Sequence, residues 1–506
     1  AAARVKIFTP EQIAQRLDDR FKLLTGGSRT ALPRQQTLRA LIDWSYQSLN
    51  EIEQRALRRL AVFSGGWTFE AAESVVGENE AMDGLLGLVN KSLVIVEEQG
   101  GKSRYRFLET IRQYAMEKLA ESGEAAAVRD RHLDYVLNLS AYTSLRMFGT
   151  EELELLDRIE AEHDNLRAAL DWATGNNLPK ALKLAFSVGG YWAVRDYNTE
   201  ARIWCNDILE KTEALPGLDV ERARLFSLYA WISATMGEHR AGRIASERAI
   251  MLGMKSNDTA TVARAYATLA LTSIFLGDIP TAFNAAEEGE KLARQHGLQA
   301  ELAFVLSTRA QMEYFASTDL DKAKAYLYEA ADIAKKVGFG WASSFMAIGL
   351  AHTFALTGDL EAARAAFKES AEYAQEIGNK RVLYSSQSEL AHVLREHGEL
   401  AEPLATYRDL LPKWKDLGHR SAVTHELECI AYILIRKEEP VRAAMLLGAA
   451  RVLREAIDSV MTQREQVEYE SEISTLREML GGQAFTEHWA EGEKLTMDEA
   501  IELALG

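Results

Sequence analysis

The sequence predicts an all-α chain interrupted by one short pair of antiparallel strands. Three observations carry this. Apolar residues recur with a helical period along nearly the whole length, and only 8 of 506 residues are proline. One stretch breaks that period: "SLVIVEE" and "SRYRFLE" alternate apolar and polar residues on either side of a Gly-Gly pair. In the C-terminal half, turn residues recur every 40 or 41 positions, at Gly237, Gly277, Thr318, Gly358, Gly398 and Glu438.

The elements follow in order. Residues 1–32 read as a short helical piece that ends in "LLTGGSRTALP". Its start, "AAARVKIF", looks like the second half of a helix, with no cap residue and no Met before it, so the chain is expected to be part of something longer. In residues 33–122, "LLGLVNKSLVIVEEQGG" reads as helix, strand and turn, and "KSRYRFLETIRQYAMEKL" as a strand running into an amphipathic helix. Helix, strand, turn, strand, helix is the outline of a winged helix. Residues 123–195 are connecting helices, 196–455 the repeats, and 456–506 a helical tail suited to cap them.

Within the repeats a second set of turns falls about twenty residues after the first, at Asn257, Gly297, Gly338, Gly378 and Gly418. Each unit is therefore two helices and two turns. Small residues recur in columns: Ala230, Ala270, Ala351, Ala391 and Ala431 before the turns, and Gly242, Ala282, Ala323, Ala363 and Ala443 after them. Such columns let paired helices approach closely. Gln311, Pro403 and Leu410 depart from the pattern and mark junctions expected to be irregular. The units resemble tetratricopeptide repeats lengthened to about 40 residues, which implies a right-handed α-solenoid with a concave face.

Formal net charge is −17, which argues against broad binding to nucleic acid or anionic membrane. No apolar run spans a bilayer and no secretory signal is visible. Cys205 and Cys429 read as two buried thiols in a reducing cytoplasm.

Four kinds of site come into question. The helix of the winged domain that would read DNA, Glu80–Leu93, carries Glu80 and Asp83 against Lys91 and Asn90, so a packing role is favoured over base reading. The wing offers Lys102, Arg104 and Arg106, enough for a few phosphates. No P-loop occurs, nor any motif for a catalytic nucleophile, so no enzymatic activity is expected of this chain. The ten histidines are scattered, His392 and His397 fall on different helix faces, and no metal centre or cofactor is expected. His163 and Asp164 in "AEHDN" read as helix-surface or capping residues. The concave repeat face is the favoured site. Trp231, Met312, Phe315, His352, His392, Arg395 and Tyr432 are the residues placed to bind a peptide, a sugar or a small effector there. Leu271 and Ile274, in the same columns, read as packing residues.

Residues 8–76, with "LVNKSLV", "RYRFLETIRQYAMEKL" and "IEAEHDNLRAAL", resemble the segment that follows the nucleotide-binding core in bacterial signal-transduction ATPases with numerous domains (STAND, NB-ARC-like). The tail "HWAEGEKLTMDEAIELAL" resembles the usual end of their helical repeats. The resemblance implies a sensory half of a transcriptional or cyclase-linked regulator, cytoplasmic, with the ATPase core upstream. ATP or ADP would bind only with that core. The core would be an intramolecular partner, DNA would be met only through a domain outside this chain, and an effector would drive oligomerisation. In the family a Met-His-Asp motif after the wing touches the ADP phosphate. The matching positions here are Phe107, Leu108 and Glu109. Leu108 cannot donate to a phosphate, which leaves Arg106 or Arg112 as substitutes near Glu109. The competing readings are a stand-alone repeat scaffold for protein partners and direct DNA binding by the winged helix.

Overall fold

The structure is a computed structural model that describes residues 38–99, 102–146, 152–315, 319–337, 340–457, 461 and 463–506. The reading of residues 1–32 and the Gly-Gly turn of the wing lie outside these. The chain forms two compact units: residues up to Ala141 with Asp157–Asn177, and Tyr142–Leu156 with Leu178–Gly506.

The first unit holds α1 (Leu38–Gln47), α2 (Glu51–Leu60), α3 (Phe69–Val76), α4 (Glu78–Asn90), β1 (Val94–Gln99), β2 (Lys102–Phe107) and α5 (Glu109–Ser122). Next come α6 (Ala125–Arg146) and α7 (Glu152–Ala161), of which Tyr142–Arg146 and Glu152–Leu156 belong to the second unit, and α8 (His163–Asn176). A capping box starts α2: Asn50 accepts from the Glu53 amide while Glu53 reaches back to the Asn50 amide. The strands pair antiparallel with Val94 opposite Phe107 and Ile95 opposite Arg106. A third strand is reduced to one residue. Trp67 and Tyr105 exchange two backbone hydrogen bonds of 2.8 Å. The order helix, one-residue strand, helix, helix, strand, strand is that of a winged helix. Its core is Leu57, Leu60, Phe63, Trp67, Leu88 and Leu119, all essentially inaccessible to solvent. Phe63 and Trp67 stack with ring centres 5.6 Å apart.

The second unit opens with α9 (Leu178–Ser187), α10 (Gly189–Val194) and α11 (Asn198–Thr212). Six helix pairs follow: α12 (Asp219–Thr235) with α13 (His239–Lys255), α14 (Thr259–Phe275) with α15 (Ile279–Gln295), α16 (Gln299–Phe315) with α17 (Leu320–Val337). The remaining three are α18 (Gly340–Leu356) with α19 (Leu360–Glu376), α20 (Lys380–Glu396) with α21 (Ala401–Asp416), and α22 (Arg420–Arg436) with α23 (Pro440–Ala456). The tail is α24 (Gln463–Leu480), α25 (Gly482–Gly492) and α26 (Met497–Leu505). Among the described residues no helix is long and apolar enough to cross a membrane.

The turn residues read from the sequence end these helices for a definite reason. Gly237, Gly277, Gly297, Gly358, Gly378, Gly398 and Gly418 all have positive φ, as do Asn257 and Glu438. A left-handed residue lets the chain fold back so that the last helical carbonyls find donors: Gly237 N donates to Ala234 O and Glu238 N to Ser233 O. Thr318 and Gly338 lie outside the described residues. The small columns are buried as expected. Gln311, Pro403 and Leu410 do not interrupt the stack; they are buried within unbroken helices of 17 and 16 residues. Pro403 stands in the first turn of α21, where an amide has no helical partner to lose.

The stack also meets itself. The Arg381 amide donates to Asp196 at 2.8 Å, and a side chain on Gly237 would touch Ser421. Burial pushes the Asp196 carboxyl up to about 6 despite the neighbouring Arg381. At the far end α23 and α25 touch backbone to backbone. A Cβ at Gly492 would lie 2.0 Å from the Met445 carbonyl oxygen. Gly492→Ala is therefore expected to lower stability by about 1–3 kcal/mol, because the two helices must separate. Gly482→Ala, where a Cβ meets nothing, should shift it by less than about 0.5 kcal/mol. Urea unfolding of the two variants checks this, and equal midpoints would refute it.

Candidate functional site

In the winged helix, α4 occupies the position of a DNA-reading helix. It has no Lys or Arg. Its exposed residues are Glu78, Asn79, Met82, Asp83, Leu86 and Asn90. Met82 and Leu86 are 58% and 56% exposed, one turn apart, and form an apolar pair on an acidic face. Lys91, just past the helix, is held by Glu53, and Glu80 is forked by Arg55 at 2.9 and 3.1 Å. Base reading needs cations or amides aimed outward; this surface offers two asparagines.

The wing arginines are also occupied. Arg106 Nε donates to Glu97 at 2.8 Å. Arg112 forks Glu109 at 2.9 and 3.0 Å, and Leu108, the residue before α5, is 49% exposed with no capping side chain. Arg106, Leu108, Glu109 and Arg112 thus share the strand-to-helix junction. A phosphate there would have to displace a carboxylate from either guanidinium.

Arg104 turns inward. Nη1 meets Glu162 at 2.6 Å, and Nη2 donates to the carbonyls of Ala161 (2.6 Å), Gly65 (3.2 Å) and Gly66 (3.3 Å). This corrects the reading of Arg104 as a phosphate contact. Asn165 completes the clamp: its Oδ1 accepts from the Ser64 amide at 2.8 Å, and its Nδ2 donates to Gly66 O and to Glu162. Burial raises the Glu162 carboxyl, opposed by Arg104. Sequence reasoning singled out His163 and Asp164, yet the neighbours Glu162 and Asn165 hold the Ser64–Gly66 turn that leads from α2 to Trp67.

In the repeats, several groove candidates are covered. Trp231 is 8% exposed and meets Phe304 edge-on at 4.8 Å; Met312 is 1% exposed and Tyr432 5%. His352 is half-buried, with Nε2 3.5 Å from Glu389 and its ring edge-on to Phe367. The Phe315 side chain lies outside the described residues. Arg395 is buried over the Tyr432 ring and forks Glu468 of α24 at 2.6 and 3.0 Å. Arg436 likewise holds Glu472 of α24. Burial opposes ionisation of Glu468, and the Arg395 fork outweighs it, holding that carboxyl below its usual range. Beside this fork lies an open cleft of about 770 Å³ lined by Leu356, Arg395, Glu396, His397, Arg436 and Glu468. That volume suits a small ligand or a peptide side chain.

His392 sits under the fork, where Nδ1 is 3.3 Å from Arg395 Nη2, and Nε2 is 3.4 Å from Glu396. Cys429 Sγ lies 4.0 Å from that Nδ1 and 3.6 Å from His425 Nε2. Both cysteines are free and buried, as the sequence suggested. The clustering was not legible there, because 37 residues separate His392 from Cys429.

A family model described as a winged helix-turn-helix domain matches residues 49–120. Another, described as anaphase-promoting complex subunit 5, matches residues 253–314 and 310–397. The chain is a winged helix-turn-helix domain followed by tetratricopeptide-like repeats. It is 36% identical over 363 residues to a Mycobacterium tuberculosis protein named as an HTH-type transcriptional regulator, covering 69% of this chain and 41% of the relative. The same figures hold for a Mycobacterium bovis protein of the same description. An uncharacterised M. tuberculosis protein is 44% identical over 138 residues, 26% of this chain and 35% of that protein. The chain thus spans about 41% of the length of the first of these relatives. Among solved structures, a STAND protein with a tetratricopeptide repeat sensor from Pyrococcus horikoshii aligns with TM-score 0.44 and 17% identity, over 94% of this chain and 73% of that one. A Rap protein complexed with competence and sporulation factor aligns with TM-score 0.44 and 15% identity, over 71% and 99%.

Proposed function

We propose that this chain is the regulatory and sensory part of a STAND-type transcriptional regulator. The winged helix docks on a nucleotide-binding core elsewhere in the same protein, and the repeats bind an effector or protein partner. The observation that carries this is the outward face of α4. Met82 and Leu86 lie exposed among acids, which suits a protein surface and repels DNA phosphates. This chain performs no catalysis itself; ATP turnover belongs to the core. A groove ligand acts by population shift, favouring the arrangement in which the winged helix releases the core, and it must therefore bind that arrangement more tightly.

Gel filtration of the chain with the separately produced core of its parent protein tests the reading. Co-elution is expected for the native sequence, and loss of co-elution for M82D/L86D. A scaffold would ignore the core in both cases. Salt-dependent binding of duplex DNA by the native chain would instead favour a DNA-reading winged helix.

A further inference from the structure

The repeat stack brings together three side chains that ligate metals. His392 comes from α20, and His425 and Cys429 from α22, the neighbouring inner helix. Their spacing of four residues puts His425 and Cys429 on one helix face, a turn apart. The ligand atoms all lie within 4.8 Å of one another, with Sγ at 3.6 Å from one imidazole nitrogen and 4.0 Å from the other. A tetrahedral zinc with a bond of ~2.3 Å to sulfur and ~2.0–2.1 Å to nitrogen holds those atoms about 3.6 Å apart. Both sulfur-to-nitrogen distances are within a few tenths of an ångström of that value. The two imidazole nitrogens, within 4.8 Å of each other, would have to close to about 3.4 Å for the ion to be held.

The surroundings fit as well. Glu396 Oε1 lies 3.4 Å from His392 Nε2. A carboxylate at that nitrogen keeps the proton there and makes Nδ1 an acceptor, the arrangement found behind most metal-bound imidazoles. Nδ1 accepts from Arg395 Nη2 at 3.3 Å, a hydrogen bond that an ion would replace. The Arg395 guanidinium that meets His392 has its charge answered by the two oxygens of Glu468. The thiol is buried and both imidazoles are partly exposed, so an ion has a path from the groove. One thiolate and two imidazoles select a borderline or soft cation over Mg²⁺ or Ca²⁺.

We propose that His392, His425 and Cys429 bind one divalent cation of the zinc class. The ion ties α20 to α22 and leaves its fourth position open to water or to a donor atom of a groove ligand. The proposal stands apart from the docking role of the winged helix, and either can fail alone.

The test is a Co²⁺ titration of the full chain, tag-free and stripped with a chelator. One equivalent should produce a thiolate-to-cobalt charge-transfer band with the intense visible bands of tetrahedral cobalt. Zn²⁺ should abolish them and Mg²⁺ should not. C429S should show no charge-transfer band. H392Q, H425Q and E396Q should each bind more than about tenfold more weakly. Absence of the band in the native chain would overturn the proposal. So would a band that survives in C429S, since Cys205 would then be the ligand. If C429S does not fold, native-strength binding by H392Q is equally fatal.

Discussion

Arg104→Ala is expected to cost the winged-helix unit about 3–5 kcal/mol, the usual loss when one partner of a buried ion pair is removed. Glu162 keeps only 3% of its side chain exposed and would be left in the interior with the Asn165 amide and the more distant charge of Arg158. Three carbonyl contacts of the guanidinium disappear with it. Arg104→Lys should recover little, because one ammonium cannot span Glu162 and the carbonyls of Gly65, Gly66 and Ala161 at once. Glu162→Gln should cost less than Arg104→Ala, since no bare charge stays buried. Urea unfolding followed by hydrogen exchange at the Ser64 amide, which Asn165 holds, reads the effect. An unchanged midpoint in Arg104→Ala would mean that the clamp is solvated and idle.

Glu468→Ala is expected to have a similar cost, about 3–5 kcal/mol, for the converse reason. The Arg395 side chain is only 2% exposed, so its positive charge would lose its fork while the rest of the side chain stays packed. Arg395→Ala should cost less, because Glu468 is 26% exposed and can hydrate. The double substitution Arg395→Met with Glu468→Leu should restore most of the loss, as apolar replacement of a whole buried pair commonly does. The cycle also reports coupling, since the two residues touch. Hydrogen exchange along α24 should rise in Glu468→Ala and fall back in the double variant. Additive losses would show that the fork does not hold α24 in the groove.

Both predictions concern contacts that no local pattern announces. Arg104 and Glu162 are 58 residues apart, Arg395 and Glu468 are 73 apart. The third strand of the winged helix is another such case. Trp67 contributes one residue to the sheet, too short for any period-2 signal. The groove candidates show the same limit. The column position put Trp231, Met312 and Tyr432 on the groove face, but all three are buried, Trp231 against Phe304.

The sequence by itself determined whatever depends on neighbours within a few residues. Helical period, the alternating strand pair, the left-handed turn positions from Gly237 to Glu438 and the small-residue columns are all set by backbone sterics and by one helix meeting the next. The winged helix-turn-helix and the repeats followed from those. Only the tertiary structure decided which polar groups end up together: Arg104 with Glu162 and Asn165, Arg395 with Glu468, and His392 with His425 and Cys429. The physical reason is that charge and ligand chemistry act over a few ångströms of space, whereas periodicity acts along the chain, and a stack of helices can bring almost any two of its positions face to face.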